Sequence, residues 1–332
     1  MNIARLTSRR FLLVAGLLFL ILIFLATFPL YSSRSDVLVL TIILMYIILT
    51  VSWAMFSGST GYMSLAAAAF FGVGVYTSAL LFSEKWALLP LPAVIVIAGI
   101  ASFVLALLVG FVTLRLKGIY FAIFTFGLVV LIRQLLVFWE LQIVGKRGQH
   151  VIAVGGDTVY YVMLGILVVT LVTVYLIRRS RLGLAMQSIG GNEEAAAHMG
   201  VNTTRVKVLT FGISAIFMGA AGAIMATRWI YVDPASAFNV FYSFMPVLMA
   251  VFGGMGQLYG PVIGAAIFAY TERTLRLQSP YYYMLAFGII LILVILYLPG
   301  GLVSLVPKVR NRLGALVSKF WKGGKAEQRA NT

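Results

Sequence analysis

Residues 88–114 read Leu-Leu-Pro-Leu-Pro-Ala-Val-Ile-Val-Ile-Ala-Gly-Ile-Ala-Ser-Phe-Val-Leu-Ala-Leu-Leu-Val-Gly-Phe-Val-Thr-Leu, without one charged side chain. A helix needs about 20 such residues to cross a hydrocarbon layer about 30 Å thick. A barrel strand would alternate polar and apolar over about ten residues, and this stretch does not alternate. It therefore predicts a spanning helix. Apolar runs at 11–28, 37–57, 119–139, 158–177, 208–230 and 281–298 repeat it. Two further regions, 62–83 and 240–276, are rich in Gly and Ala. The first is expected to be one span. The second is expected to split at Gly253-Gly254-Met255-Gly256 into two shorter segments. The expectation is an all-α polytopic membrane protein of about ten transmembrane helices, some of them short or broken.

Composition agrees. Of 332 residues, 62% are hydrophobic and 10% charged, with a mean hydropathy of +1.04. A soluble domain is about a quarter charged, so that class is excluded. Lys and Arg number 25 against 9 acids, a net charge of +16. A nucleic-acid binder would not carry so much aliphatic surface, so no nucleic-acid partner is expected. There is no Cys, and His150 and His198 are the whole supply of imidazole, so neither a metal centre nor a cofactor is expected. Gly323-Gly324-Lys325 is no phosphate-binding loop, and neither Gly-x-Ser-x-Gly nor His-Glu-x-x-His occurs. The chain reads as a non-enzyme, and any ATP hydrolysis is expected on another subunit.

The run at 11–28 follows Arg5, Arg9 and Arg10. It is longer than a signal-peptide core and has a poor cleavage site, so a retained first helix is expected. With the N-terminus in the cytoplasm, inside segments carry net +14 and outside segments +2. The positive-inside rule then puts both termini in the cytoplasm, although Lys146 and Arg147 run against it. Residues 1–307 form the transmembrane domain on this reading. In the tail, 308–332, Val309, Leu313, Leu316, Val317 and Phe320 share a face between Lys and Arg, as in an interfacial helix touching membrane lipid. All nine acids fall in loops or near helix ends, which weakens an ion-coupled carrier. An autonomous secondary carrier or channel stays open as an alternative of a different class.

Two patterns carry candidate function. Gly58-Ser59-Thr60-Gly61-Tyr62-Met63-Ser64 and Gly253-Gly254-Met255-Gly256-Gln257-Leu258-Tyr259 each run from a Gly-x-x-Gly to a Tyr and then a small-residue helix. Gly58, Gly61, Ser64, Gly253, Gly254 and Gly256 are candidates for a translocation path, since irregular backbone at membrane depth is tolerated beside protein or water. Tight helix packing is the other reading. The second pattern is the loop at about 178–207. Asn192 suits an N-cap, Glu193 and Glu194 the first turn, Ala195-Ala196-Ala197 the body and Gly200 the stop of a short helix. Such a helix either seats in a groove on another protein or rests on the membrane.

These residues bring the chain close to a known family. The matching pieces include Gly58-Ser59-Thr60-Gly61, Leu114-Arg115-Leu116-Lys117-Gly118-Ile119-Tyr120, Arg181-Leu182-Gly183 and Asn192-Glu193-Glu194-Ala195-Ala196. They continue with Asp233-Pro234-Ala235-Ser236, Gly253-Gly254-Met255-Gly256 with Gly260-Pro261, and Pro299-Gly300-Gly301-Leu302. In order and spacing the chain resembles the permeases of branched-chain amino acid ABC importers, in particular the M-type subunit of the Liv pair. The resemblance implies a type II-like importer permease of the bacterial inner membrane. It implies an H-type permease partner, two cytoplasmic ABC ATPase subunits and a periplasmic substrate-binding protein. It also makes Asn192, Glu193, Glu194, Ala196, Ala197 and Gly200 the expected ATPase-coupling residues. The family usually has charged residues where Gly190 and Gly191 stand, so the sequence predicts a loosened helix start there. Related permeases carry urea, short amides or small carboxylic and aromatic acids, which stay open as alternative substrates.

Overall fold

The computed structural model describes residues 20–82 and 89–278 and the positions 16, 282, 285, 288, 289, 292, 301 and 302. The expected span 281–298, the tail 308–332 and the first part of the 11–28 run lie largely or wholly outside the described residues. An apolar helix, Leu20–Leu30, ends in a 3-10 turn at Phe28–Leu30. The α-helices that follow are α1 (Arg34–Thr60), α2 (Ala67–Leu81), α3 (Leu91–Thr113), α4 (Ile119–Trp139), α5 (Gly156–Arg179), α6 (Arg181–Gly191), α7 (Glu193–His198), α8 (Thr203–Trp229), α9 (Pro234–Ala237), α10 (Phe241–Gly253) and α11 (Tyr259–Gln278). A π turn at Glu140–Val144 prolongs α4. A two-residue antiparallel pair joins β1 (Gln149–His150) to β2 (Tyr231–Val232).

Among the described residues, six segments are long and apolar enough to cross a membrane: Arg34–Thr60, Leu91–Thr113, Ile119–Val144, Gly156–Arg179, Thr203–Trp229 and Pro234–Gly253. Leu20–Leu30 and Ala67–Leu81 are shorter apolar helices. The chain is a multi-pass helical membrane protein. The region 62–83 holds one helix, which starts only at Ala67 after a non-helical stretch. The division expected near Gly253–Gly256 is present, with α10 ending at Gly253 and α11 opening at Tyr259.

Burial separates the spans. α1 and α8 are mostly buried, whereas α3, α4 and α5 turn Leu108, Leu131, Leu135, Val169 and Leu176 outward as a lipid-facing surface. Lipid tails are as apolar as Leu, so helices in a bilayer associate through close packing at small residues. α8 shows this, packing most extensively on α3 and α2. A Cβ on Gly219 would strike the Ser102 side chain and the Ala98 carbonyl, and one on Gly74 would strike the Gly219 carbonyl. Backbones therefore cross directly there. Beside this seam, Phe211 gathers Phe56 at 5.0 Å, Phe70 at 5.2 Å and Phe121 at 6.0 Å, joining α8 to α1, α2 and α4.

The helix directions define two ends. One holds the ends of α1, α3, α5 and α10, with α6 and α7. The other holds the β1–β2 pair, the π turn and α9. At the second end the fully buried Glu140 accepts hydrogen bonds from Tyr76 Oη at 2.9 Å and from the Gly148 amide at 3.0 Å.

Gly219→Val is expected to cost more than about 3 kcal/mol, the upper end for overpacking, because the added carbon would meet the short Ser102 side chain, whose hydroxyl is bonded to Phe70 O, and the Ala98 carbonyl. Gly165→Ala, with nothing within 4 Å of the added carbon, is expected to be neutral or to stabilise by up to about 1 kcal/mol. Thermal unfolding of the detergent-solubilised chain separates the two.

Candidate functional site

The α1–α2 junction is the first part of the site. Gly61 closes α1 in the left-handed conformation, φ 75°, and its amide donates to Ser57 O at 3.0 Å. The chain then runs without helix to Ala66. Unpaired backbone in an apolar interior costs several kcal/mol per group, and here side chains supply the partners. Ser57 Oγ accepts from the Ser64 amide at 3.4 Å, and Thr125 Oγ1 accepts from Leu65 at 3.0 Å. Ser64 Oγ accepts from Ala66 at 3.2 Å, and Ser243 Oγ accepts from Ala68 at 3.3 Å. Trp53 Nε1 donates to the Ser64 carbonyl at 2.7 Å. Hydroxyls from α1, from α4 and from the stretch itself thus stand in for the missing helical ladder, and one from α10 supports the first turn of α2.

The second part is the α6–α7 elbow. α6 stays helical through Gly191, so the loosened helix start expected at Gly190 and Gly191 does not occur. Gly190 serves close approach instead: a Cβ there would strike the Ser59 carbonyl, so a charged side chain has no room. Gly191 has open space around it. Asn192 leaves the helix in extended conformation, and its Oδ1 caps α7 by accepting from Ala195 N at 3.0 Å. At the far end Gly200, φ 87°, donates to Ala197 O at 3.0 Å while Val201 donates to Ala196 O at 3.1 Å. This is a Schellman stop. Ala196 is buried beneath α7, while Glu194, Ala195, Ala197, His198 and Met199 face outward.

Three charged and polar side chains tie the two parts together. Lys207, on the first turns of α8, is 4% exposed and donates to Glu193 Oε1 at 2.6 Å, Tyr62 Oη at 3.0 Å and Leu114 O at 3.0 Å. Its ammonium also lies 4.3 Å from the Tyr62 ring centroid. Tyr62 Oη in turn donates to Glu193 Oε2. Burial alone would raise the Glu193 pKa. Hydrogen bonds from Lys207 and Tyr62, and the charge of Lys207, outweigh it and hold the carboxyl below its ordinary value. The pair Lys117–Glu194, at 3.2 Å, is exposed on both sides and contributes little.

The candidate residues fall in three places. Gly61, Asn192, Glu193 and Glu194 line a cleft of about 430 Å³ with Tyr62 and Lys117. Gly58, Gly61 and Gly256 line a second, of about 410 Å³, with Arg178 and Gln187. Gly190 borders both clefts. Ser64 lies deeper, on a closed void of about 10 Å³ between Trp53, Phe70 and Phe211, room for one water at most. Gly253 and Gly254 are packing residues. Gly253 meets Gly260 and Gly264, and Gly254 backs on Gly301. Ala197 and Gly200 border neither cleft. Sequence reasoning missed Lys207, Tyr62 and Met199 as members of the site. For Lys207 the signal was available: a cation one turn after the Asn202 cap belongs to the following helix.

A family model described as "Branched-chain amino acid transport system / permease component" matches residues 36–295. The chain is 30% identical, over 331 residues, to the high-affinity branched-chain amino acid transport system permease protein LivM of Salmonella typhimurium, covering 89% of this chain and 76% of the relative. LivM of Escherichia coli K12 is likewise 30% identical, with 89% and 76% covered. The LivH permease of the same Salmonella system is 32% identical over 130 residues, 39% of this chain and 41% of LivH. No solved structure matches the chain.

The Glu193–Lys207 pair makes a signed pH prediction. A carboxyl with a depressed folded pKa contributes stability above its unfolded value, about 4.3, and loses it as pH falls through the folded value. Glu193→Gln should therefore flatten the acid limb of a melting-temperature profile below about pH 4.3. Glu193→Ala should cost about 3 kcal/mol at neutral pH by stranding the Lys207 charge.

Proposed function

The chain belongs to the family of branched-chain amino acid transport system permease components, and on that premise we propose that it is the transmembrane permease subunit of an ATP-driven importer for branched-chain amino acids. It is a transport protein of the ABC class. In the proposed assembly it pairs with an H-type permease, two cytoplasmic ATPase subunits and a periplasmic binding protein, in the bacterial inner membrane. The substrate class follows the names of its LivM relatives, and the second permease follows the LivH likeness. The end holding α6 and α7 faces the cytoplasm, as do both termini. The charge asymmetry supports this orientation.

The observation that carries the coupling role is α7. It is a six-residue helix, capped at both ends, with its small outer face uncovered. Met199, 76% exposed, stands at its tip. A short rigid helix with small residues outward seats in a groove on a partner, and the uncovered Met supplies an apolar anchor. Closure of the ATPase pair then moves α7, and the packed helices switch between two arrangements. The cleft holding Gly58, Gly61 and Gly256 gives the translocated solute its inner opening.

Ala197→Arg and Met199→Asp are expected to lower ATPase co-purification roughly tenfold or more, as for loss of an interface anchor worth about 2 kcal/mol. In proteoliposomes the full assembly is expected to accumulate leucine, isoleucine or valine only with ATP. Accumulation by this chain alone under an ion gradient would overturn the reading in favour of a secondary carrier.

A further inference from the structure

The Glu193–Lys207–Tyr62 cluster does more than fasten a loop. Each of its bonds is directional and each polar group is used. Lys207 spends its three N–H donors on Glu193, Tyr62 and the Leu114 carbonyl. Both oxygens of Glu193 are engaged, Oε1 by Lys207 and Oε2 by Tyr62. Glu193 therefore turns toward Tyr62 and α8, with its side chain 20% exposed. α7 otherwise sits on α6 and only lightly on α8. The carboxylate is held by one bond from Tyr62 and one from Lys207, so α7 cannot move away from Tyr62 and α8 without breaking both or dragging those side chains along.

Tyr62 is also the second residue of the non-helical segment 61–66. Its ring meets Phe121 edge-on at 5.6 Å, and Phe121 continues to Phe211. Beyond it, the amides of Ser64, Leu65 and Ala66 are held by hydroxyls at 3.0–3.4 Å rather than by a helix. Hydroxyl partners are exchangeable by rotation, so this segment is less firmly fixed than a continuous helix. Ser64 at its centre borders the closed void between α1, α2 and α8.

We propose that Glu193, Lys207 and Tyr62 form the rigid linkage that carries displacement of α7 into the 61–66 segment, with Tyr62 and Lys207 as positioning residues for the transport step. The linkage rests on the reading of α7 as the ATPase contact and adds the route by which its motion reaches the membrane interior. A buried ion pair alone is weak grounds for a stabilising role, since apolar replacements often serve as well. A carboxylate on a surface helix, bound at one point to the interrupted segment through Tyr62 and at the other to the start of α8 through Lys207, suits transmission.

The test uses the complete importer in proteoliposomes and reads solute moved per ATP hydrolysed. Tyr62→Phe removes only the hydroxyl. The assembled Tyr62→Phe complex is expected to show that ratio lowered about tenfold, within the usual range of a coupling between sites. Hydrogen–deuterium exchange supplies a second readout. ATP should change exchange at the 62–66 amides in the wild-type complex, and Tyr62→Phe should abolish that change. An unaltered ratio, a wild-type complex whose 62–66 amides ignore ATP, or failure of Tyr62→Phe to assemble would each overturn the linkage. A wild-type complex without ATP-driven uptake would instead overturn the functional reading beneath it.

Discussion

Inside a bilayer every backbone N–H and C=O needs a partner, and water is not there to supply one. Most of this chain obeys by staying helical. One exception among the described residues is 61–66, and much of the surrounding architecture meets its demands. Ser57 and Thr125 come from different helices, yet the hydroxyl oxygen of each accepts from an amide of this stretch, and Ser243 Oγ accepts from Ala68 in the first turn of α2. Trp53 supplies the N–H that the Ser64 carbonyl lacks. These helices must stay in register for the break to remain satisfied. A local interruption thus becomes a constraint on the whole bundle.

The same constraint explains the distribution of glycine. Where helices must approach closely enough for a hydroxyl to reach a neighbour's backbone, side chains are in the way. Gly219 and Gly74 remove them at the α8–α2–α3 seam, and Ser102, in the same seam, donates to the Phe70 carbonyl at 3.0 Å. Gly190 does so where α6 meets the end of α1. At Gly74, Gly219, Gly190 and Gly253 the small residues are packing devices. In the two glycine-rich stretches Gly58, Gly61 and Gly256 line a cleft, while a Cβ on Gly253 would strike the Gly260 carbonyl.

What could be read from the sequence was whatever depends on one segment at a time. The long apolar runs became α1, α3, α4, α5 and α8. Asn192 and Gly200 were legible as the limits of α7 because caps are local chemistry. What could not be read depends on two segments meeting. Lys207 counted as a loop charge, since composition cannot show that the start of α8 sinks beside Tyr62. Glu193 and Glu194 looked alike in sequence, yet one turns inward to Lys207 and the other outward to Lys117. Helical rotation explains that difference, as neighbours on a helix point about 100° apart. Gly190 read as looseness because the Ser59 carbonyl that excludes a side chain is more than a hundred residues away. The non-helical stretch before Ala67 could not be read, because hydropathy does not register a backbone break.

That last point bears on how force travels in the molecule. A helix transmits displacement along its axis, because every residue is bonded to the next turn. A break absorbs displacement unless something crosses it. Here the break lies beside the end that carries α7, and the two clefts on either side of Gly190 share Gly61 as a lining residue. α7 and the interrupted segment are therefore adjacent, and no long relay of side chains separates them. On the proposed reading, the working motion need span only the grip of Glu193 on Tyr62 and Lys207. The seam at Gly219 is held by backbone against backbone, which yields little. The hydroxyl-held segment yields more easily. On that reading, displacement entering at α7 would pass into 61–66 rather than into the closely packed seam.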